Sequence, residues 1–233
     1  MPNDRRIVLA TPHSRHDALE VALASKHGFS VLRIRDRGEL SAENLKAHAP
    51  SHLFFPHWSW KIPPEVWQGF TCVVFHMTDL PFGRGGTPLQ NLIVRGIEDT
   101  KLSALLCTET LDAGPVYLKR PLSLLGSAEE VLLRAAALME SMIVEIVERD
   151  VRPQPQTGAP VLFQRRTPDQ GDLSTAETLE KVHDIIRMLD ADGYPRAFIE
   201  IGRLRLEFGR ASRRPDVVLA DVSISLIPER DDT

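Results

Sequence analysis

The sequence predicts an α/β fold: a mostly parallel sheet flanked by helices, followed by a small α+β appendage. Three observations carry that expectation. Short apolar runs alternate with amphipathic stretches through the first 150 residues, the pattern of strands joined by crossover helices. A segment rich in proline and ending in glycine, Val151 to Gly158, then stops any helix. Beyond it the pattern changes to one amphipathic helix and several strand-like runs. The expected division is residues 1–150 as the main domain and residues 151–233 as the appendage.

Arg6 to Thr11 reads as the first strand. Asp17 to His27 sets Leu19, Ala22 and Leu23 on one helical face, and Gly28 stops it. Ser30 to Ile34 is the second strand, and Ser41 to His48 a short helix. Leu53-Phe54-Phe55 is a buried third strand, and Thr71 to Phe75 a fourth. Pro88 to Arg95 reads as a helix and Leu102 to Cys107 as a fifth strand. Ser127-Ala128-Glu129-Glu130 has the form of a capping box and opens a long helix to about Glu148. In the appendage, a helix is expected from Thr175 to Leu189, with strands at Ala197–Ile201 and Arg203–Phe208. The runs Val217–Leu219 and Val222–Leu226 are expected to pair within the appendage or with a second subunit, making a homodimer possible. Pro228 to Thr233 is expected to fray.

With 42% hydrophobic residues, a chain of this length buries a core without disulfides or structural metal. The formal net charge of -4 gives no basic excess for a nucleic-acid partner. Cys72 and Cys107 have apolar flanks and read as reduced thiols, which suits a cytoplasmic protein. MPNDRR leads directly into a strand and lacks a secretory apolar region, and no window is long and apolar enough to span a membrane.

The residues with chemistry cluster at strand ends, where open α/β sheets bind ligands. HMTDLPFGRGGTPLQNLI, residues 76–93, follows the fourth strand and opens with His76, Thr78 and Asp79. A histidine there serves as general base or as a charged donor to an oxyanion. Asp112, in the Leu111–Pro115 loop after the fifth strand, is expected at the same edge if that strand is parallel. A carboxylate beside an imidazole fixes its tautomer and favours its charged form. Phe82 to Gly86 is not a phosphate loop, since it lacks both the position of the dinucleotide fingerprint and the GK[ST] ending. Its glycines read as a tight turn, with Arg84 anchoring that turn or meeting an anion. Pro56 to Pro64 carries His57, Trp58 and Trp60, aromatic faces that suit a flat heterocycle or a packed lid. His13 and His16, or His76 and Asp79, have ligand-like spacing but belong to no closed metal set, so no metal is expected.

Taken in order, these pieces resemble the formyltransferases that use 10-formyltetrahydrofolate, a family that includes methionyl-tRNA formyltransferase and the sugar N-formyltransferases. The family pattern N-x-H-x-S-L-L-P-x-x-R-G-x-x-P is met in register by His76, Thr78, Leu80, Pro81, Arg84, Gly85 and Pro88. A T-x-x-S strand leading to D-x-G is met by Thr100, Ser103, Asp112 and Gly114. Arg165 to Gly171 and Tyr194 to Phe198 match later pieces, so the resemblance covers roughly residues 50–210. It implies a Rossmann-like formyltransferase fold, 10-formyltetrahydrofolate as co-substrate and no metal.

By the same resemblance His76 stabilises an oxyanion or takes an amine proton, and Asp112 holds it. The family's catalytic asparagine falls on Val74, which cannot donate, so Thr78, Asn91 or His57 is expected to replace it. The folate is expected against His57, Trp58, Ser59, Trp60, Arg84, Gly85, Leu111 and Gly114. The chain's modest size and acidic balance point to a small acceptor, an amino sugar on a nucleotide carrier, with no nucleic acid and no membrane partner. The alternatives are formylation of an amino-acid or peptide amine, hydrolysis of the formylfolate, or a folate-binding protein impaired by Val74.

Overall fold

The structure, a computed structural model, describes residues 5–228. Of the end expected to fray, all but Pro228 lies outside the described residues. The chain forms two compact units: one takes Met1–Pro88, Thr100–Leu122 and Leu133–Phe163, the other Leu89–Asp99, Ser123–Leu132 and Gln164–Thr233. This division differs from a break at residue 150. The linker belongs with the first unit because Val116 and Gln154 exchange backbone hydrogen bonds at 2.7 and 2.8 Å.

In the first unit, β1 (Arg6–Ala10), α1 (Asp17–Ser25), β2 (Ser30–Ile34), α2 (Ala42–His48), β3 (His52–Phe55), α3 (Pro64–Gly69) and β4 (Cys72–His76) alternate as expected. Local chemistry sets the ends. Ser41 caps α2 by accepting the Asn44 amide, and Pro64 starts α3 where a missing N–H costs nothing. β5 (Arg84–Gly85) follows β4, then α4 (Pro88–Ile93), β6 (Asp99–Leu106), β7 (Val116–Ser123), α5 (Ala128–Glu148) and β8 (Leu162–Phe163).

The six-stranded sheet has the order β2-β1-β3-β4-β6-β7. Its first four strands are parallel. From β1 the chain goes to β2 on one side, then returns to β3 on the other, so the carboxyl ends of β1 and β3 flank a topological switch point. Strand alternation sets the faces. Val8, Ala10, Leu53, Phe55 and Cys72 share one core cluster with Leu45 and Val66, and Val74, Trp58 and Cys107 pack against it. Continuing by two, His76 leaves the sheet on the Val74 side.

β6 corrects one expectation. It runs antiparallel to β4, with Val73 opposite Leu106 and His76 opposite Ser103. Cys107 therefore sits beside Cys72, at the amino end of β4, with its N–H on the Cys72 carbonyl at 2.8 Å. The loop that follows must fold back to bring Asp112 near His76.

In the second unit, α6 (Leu179–Leu189) starts later than expected, after a 3-10 turn at Leu173–Thr175, and is capped by Thr178. Its buried Arg187 donates to Asp184 at 2.7 Å and to the Leu124 and Gly126 carbonyls at 2.6 and 3.1 Å. β9 (Ala197–Ile201), β10 (Leu204–Arg214) and β11 (Val217–Leu226) form an antiparallel sheet. The two strand-like runs near the end are thus one strand, paired within the chain. On its polar face Arg205 lies 3.7 Å from the Phe198 ring centroid and pairs with Glu200 and Glu207.

Candidate active site

The loop after β4 is held close to the sheet by its own polar groups. His76 is 7% exposed and Thr78 is fully buried. Ser103 Oγ, on β6, donates to the Thr78 carbonyl at 2.7 Å, which gives the Ser103 of the sequence motif a structural role. His76 Nε2 lies 2.7 Å from the Gly83 carbonyl. A carbonyl only accepts, so Nε2 carries a proton and Nδ1 is the ring atom left to meet another group. Asp112 Oδ2 stands 3.6 Å from that Nδ1. This is ion-pair range, but longer than a hydrogen bond.

Asp112 is itself fixed. Its Oδ2 accepts the Gly85 amide at 3.0 Å, and its backbone takes a positive φ of 53°. Gln156 donates to the carbonyls of Asp112 and Gly114, each at 2.8 Å, and accepts from Arg84 at 2.8 and 3.1 Å. Arg84 thus ties its turn to Gln156. Two glycines are demanded by close approach. A Cβ at Gly114 would lie 1.8 Å from the Leu106 carbonyl oxygen, and one at Gly85 2.4 Å from that of Phe163. The fold-back of the Asp112 loop therefore depends on Gly114 and on Gln156, a residue that the sequence motifs do not reach.

Asp79 takes a different course. It pairs with Lys101 at 2.9 Å and Lys119 at 2.5 Å, and these two cations draw its carboxyl below the usual range despite the opposing effect of partial burial. This carboxylate ties down the loop rather than adding a second acid beside His76. Val74 is half-buried against the apolar cluster, as its side chain requires.

The candidates to replace the family asparagine are placed as follows. Thr78 Oγ1 is 3.5 Å from the Gly83 carbonyl, a long contact. Asn91, in the second unit, donates to the Gln164 carbonyl at 2.8 Å and accepts from Arg95 at 2.8 Å. His57 has φ of 48° and pairs through Nδ1 with Nε2 of the fully buried His16 at 2.9 Å. Burial is the main cause that lowers both rings from the ordinary value of 6.5, His16 to about 3, with Arg33 next for His16 and His16 next for His57.

The remaining expected folate contacts are the Trp58 and Trp60 rings, edge to face at 4.8 Å, the exposed Ser59, and Leu111, exposed on the Asp112 loop. Trp58 also meets Phe55 edge-on at 5.8 Å. Four buried polar atoms have no protein partner: Thr11 Oγ1, His16 Nδ1, His57 Nε2 and Trp58 Nε1. Among the described residues no group of three or more metal-ligand side chains occurs, and no helix is long and apolar enough to cross a membrane.

Residues 168–225 match the sequence profile of the methionyl-tRNA formyltransferase C-terminal domain. The chain is 28% identical over 188 residues to the methionyl-tRNA formyltransferase of Halorhodospira halophila, covering 77% of this chain and 60% of that protein. It thus spans about three-fifths of the length of this curated relative. A structure of HypX from Aquifex aeolicus in complex with tetrahydrofolic acid has the same fold, with 18% identity, a TM-score of 0.74, and coverage of 88% of this chain and 37% of that one. Methionyl-tRNA formyltransferase from Clostridium thermocellum is 46% identical, superposes with a TM-score of 0.91, and covers 95% of this chain and 99% of its own. With identity at that level over nearly the whole length, the chain belongs to the formyltransferase family.

Proposed function

We propose that the protein transfers a formyl group from 10-formyltetrahydrofolate to a primary amine, with His76 and Asp112 at the reacting carbonyl. The observation that carries this reading is the His76 Nδ1–Asp112 Oδ2 pair, 3.6 Å apart, with the other ring nitrogen held by the Gly83 carbonyl and the same carboxylate oxygen held by the Gly85 amide. The formylfolate supplies the activated carbonyl carbon. The residues supply the rest. A protonated Nδ1 donates to the oxyanion that forms when a neutral amine attacks, and Asp112 balances the ring's charge. Nε2 cannot take that role while it donates to Gly83. The proton lost by the amine ends on the departing folate nitrogen, so no net acid or base is consumed. Trp58 supports the folate reading: its buried indole N–H has no protein partner and suits the carbonyl-bearing edge of a pterin.

For the acceptor, the relationship to methionyl-tRNA formyltransferases favours an aminoacyl or peptide amine, the second of the readings drawn from sequence, over an amino sugar. The exclusion of nucleic acid does not stand on the charge balance alone. The sugar reading keeps one support, the formal charge of -4, which works against a polyanionic partner. The test is release of tetrahydrofolate from 10-formyltetrahydrofolate with methionyl-tRNA, methioninamide and nucleotide-linked amino sugars as acceptors. The proposal expects turnover with the first two, and with the tRNA a KM that rises steeply with salt. Turnover with amino sugars alone would transfer the activity to that class. Turnover without any acceptor would identify a hydrolase.

A further inference from the structure

Outside the His76 cluster, the most unusual chemistry in the chain is the buried histidine pair at the switch point. His16 is fully buried, its Nε2 lies 2.9 Å from His57 Nδ1, and the rings are 4.9 Å apart, tilted by 40°. The outward nitrogens, His16 Nδ1 and His57 Nε2, are buried without a protein partner, as is Thr11 Oγ1 at the end of β1. Burying an unsatisfied polar group is costly, so these atoms, borne by residues that follow β1 and β3 at the switch point, call for an occupant.

The tautomers restrict what that occupant is. Both rings are neutral near pH 7, since burial and the nearby Arg33 oppose a charge on His16 and burial opposes it on His57. A neutral imidazole has one N–H and one bare nitrogen. If His16 Nε2 donates to His57 Nδ1, then His16 Nδ1 is bare and His57 Nε2 carries a proton. If the internal bond is reversed, so are the outer atoms. In either case one outer nitrogen donates and the other accepts. A phosphate needs two donors and a metal ion two bare nitrogens, so neither fits the pair. A hydroxyl or carboxamide, which donates and accepts at once, meets either outer nitrogen in either tautomer.

Position assigns the role. His57 lies two residues beyond Phe55, which is in register with Val74, and His76 lies two beyond Val74. β3 and β4 are neighbours in the sheet, so the pair, just past the end of β3, leaves the sheet at the same edge as His76. We propose that His16 and His57, with Thr11, form a subsite for a neutral hydroxyl or carboxamide of the acceptor. The assignment rests on the formyl-transfer reading, and it moves His57 from the folate to the acceptor.

The test reads the ring nitrogens directly, on full-length 15N-labelled protein without formylfolate. The probes are methioninamide, glucosamine, inorganic phosphate and zinc. The subsite predicts saturable shifts of the outer His16 and His57 nitrogens with methioninamide or glucosamine, and none with phosphate or zinc. Replacing His57 by Phe should weaken the active probe about tenfold, the loss of one buried hydrogen-bond partner. Tetrahydrofolate affinity should stay unchanged. Ring signals that ignore the two organic probes, in a protein that still releases tetrahydrofolate, would overturn the subsite and leave formyl transfer standing. A shift with zinc or phosphate would overturn it as well. Saturable shifts in a protein without turnover would keep the subsite and reject the catalytic reading.

Discussion

At the position two residues before His76, Val74 stands where the family carries an amide, and it packs as a valine should, against the apolar cluster below. Its lack of a donor makes a measurable claim. Restoring the amide with Val74→Asn should raise turnover at saturating formylfolate by about 10-fold or more, because one oxyanion donor is typically worth 10²–10³ in rate. The same substitution should lower the melting temperature, since the amide replaces apolar contacts. A turnover that is unchanged or lower would mean that another group already supplies the hydrogen bond. His76 and Asp112 were legible as residues because they fall on a dense motif. Gln156, which holds the Asp112 loop through two carbonyls, was not: it lies in a proline-rich stretch that carries no pattern of its own.

At the scale of elements, the parallel half of the sheet was legible because buried strands and amphipathic helices alternate with clear stops. The direction of β6 was not. A buried apolar run looks the same whichever way it points, so only the register with β4 reveals that Asp112 arrives by a loop that folds back. β7 carries Lys119, Arg120 and Pro121, which mask a strand, and α3 is only six residues long, below the length at which periodicity speaks. The contact between η1 (Ser14–His16) and the loop after β3 joins residues 41 apart, a pairing that neither local pattern contains. This contact has a pH signature. Burial holds the folded-state value of His16 at about 3, below its ordinary 6.5. The unfolded chain therefore binds more protons between these values, and stability present above pH 6.5 is lost as the pH falls towards 3. Thermal melts between pH 7 and pH 4 should show a steeper loss in the wild type than in a His16→Phe, His57→Phe double variant. Parallel curves would place the acid sensitivity elsewhere.

For the whole molecule, two compact units interleave along the sequence, and the profile match to a methionyl-tRNA formyltransferase C-terminal domain falls in the second. The first contains the end of β4 with His76, the folded-back Asp112 loop, the glycine turn and the histidine pair, so the proposed chemistry draws on one unit. Composition bounded this picture without choosing the acceptor: a net charge of -4 describes the chain as a whole and not the surface near one edge. The claim on which the account depends is that the His76 ring, with Nε2 held by Gly83, presents Nδ1 to the reacting carbonyl. The most direct measurement is single-turnover release of tetrahydrofolate by His76→Asn protein saturated with 10-formyltetrahydrofolate and methionyl-tRNA. The account predicts a fall of at least about 10²-fold in that rate, with tetrahydrofolate affinity and melting temperature close to wild type. A His76→Asn protein that turns over at the wild-type rate would contradict it.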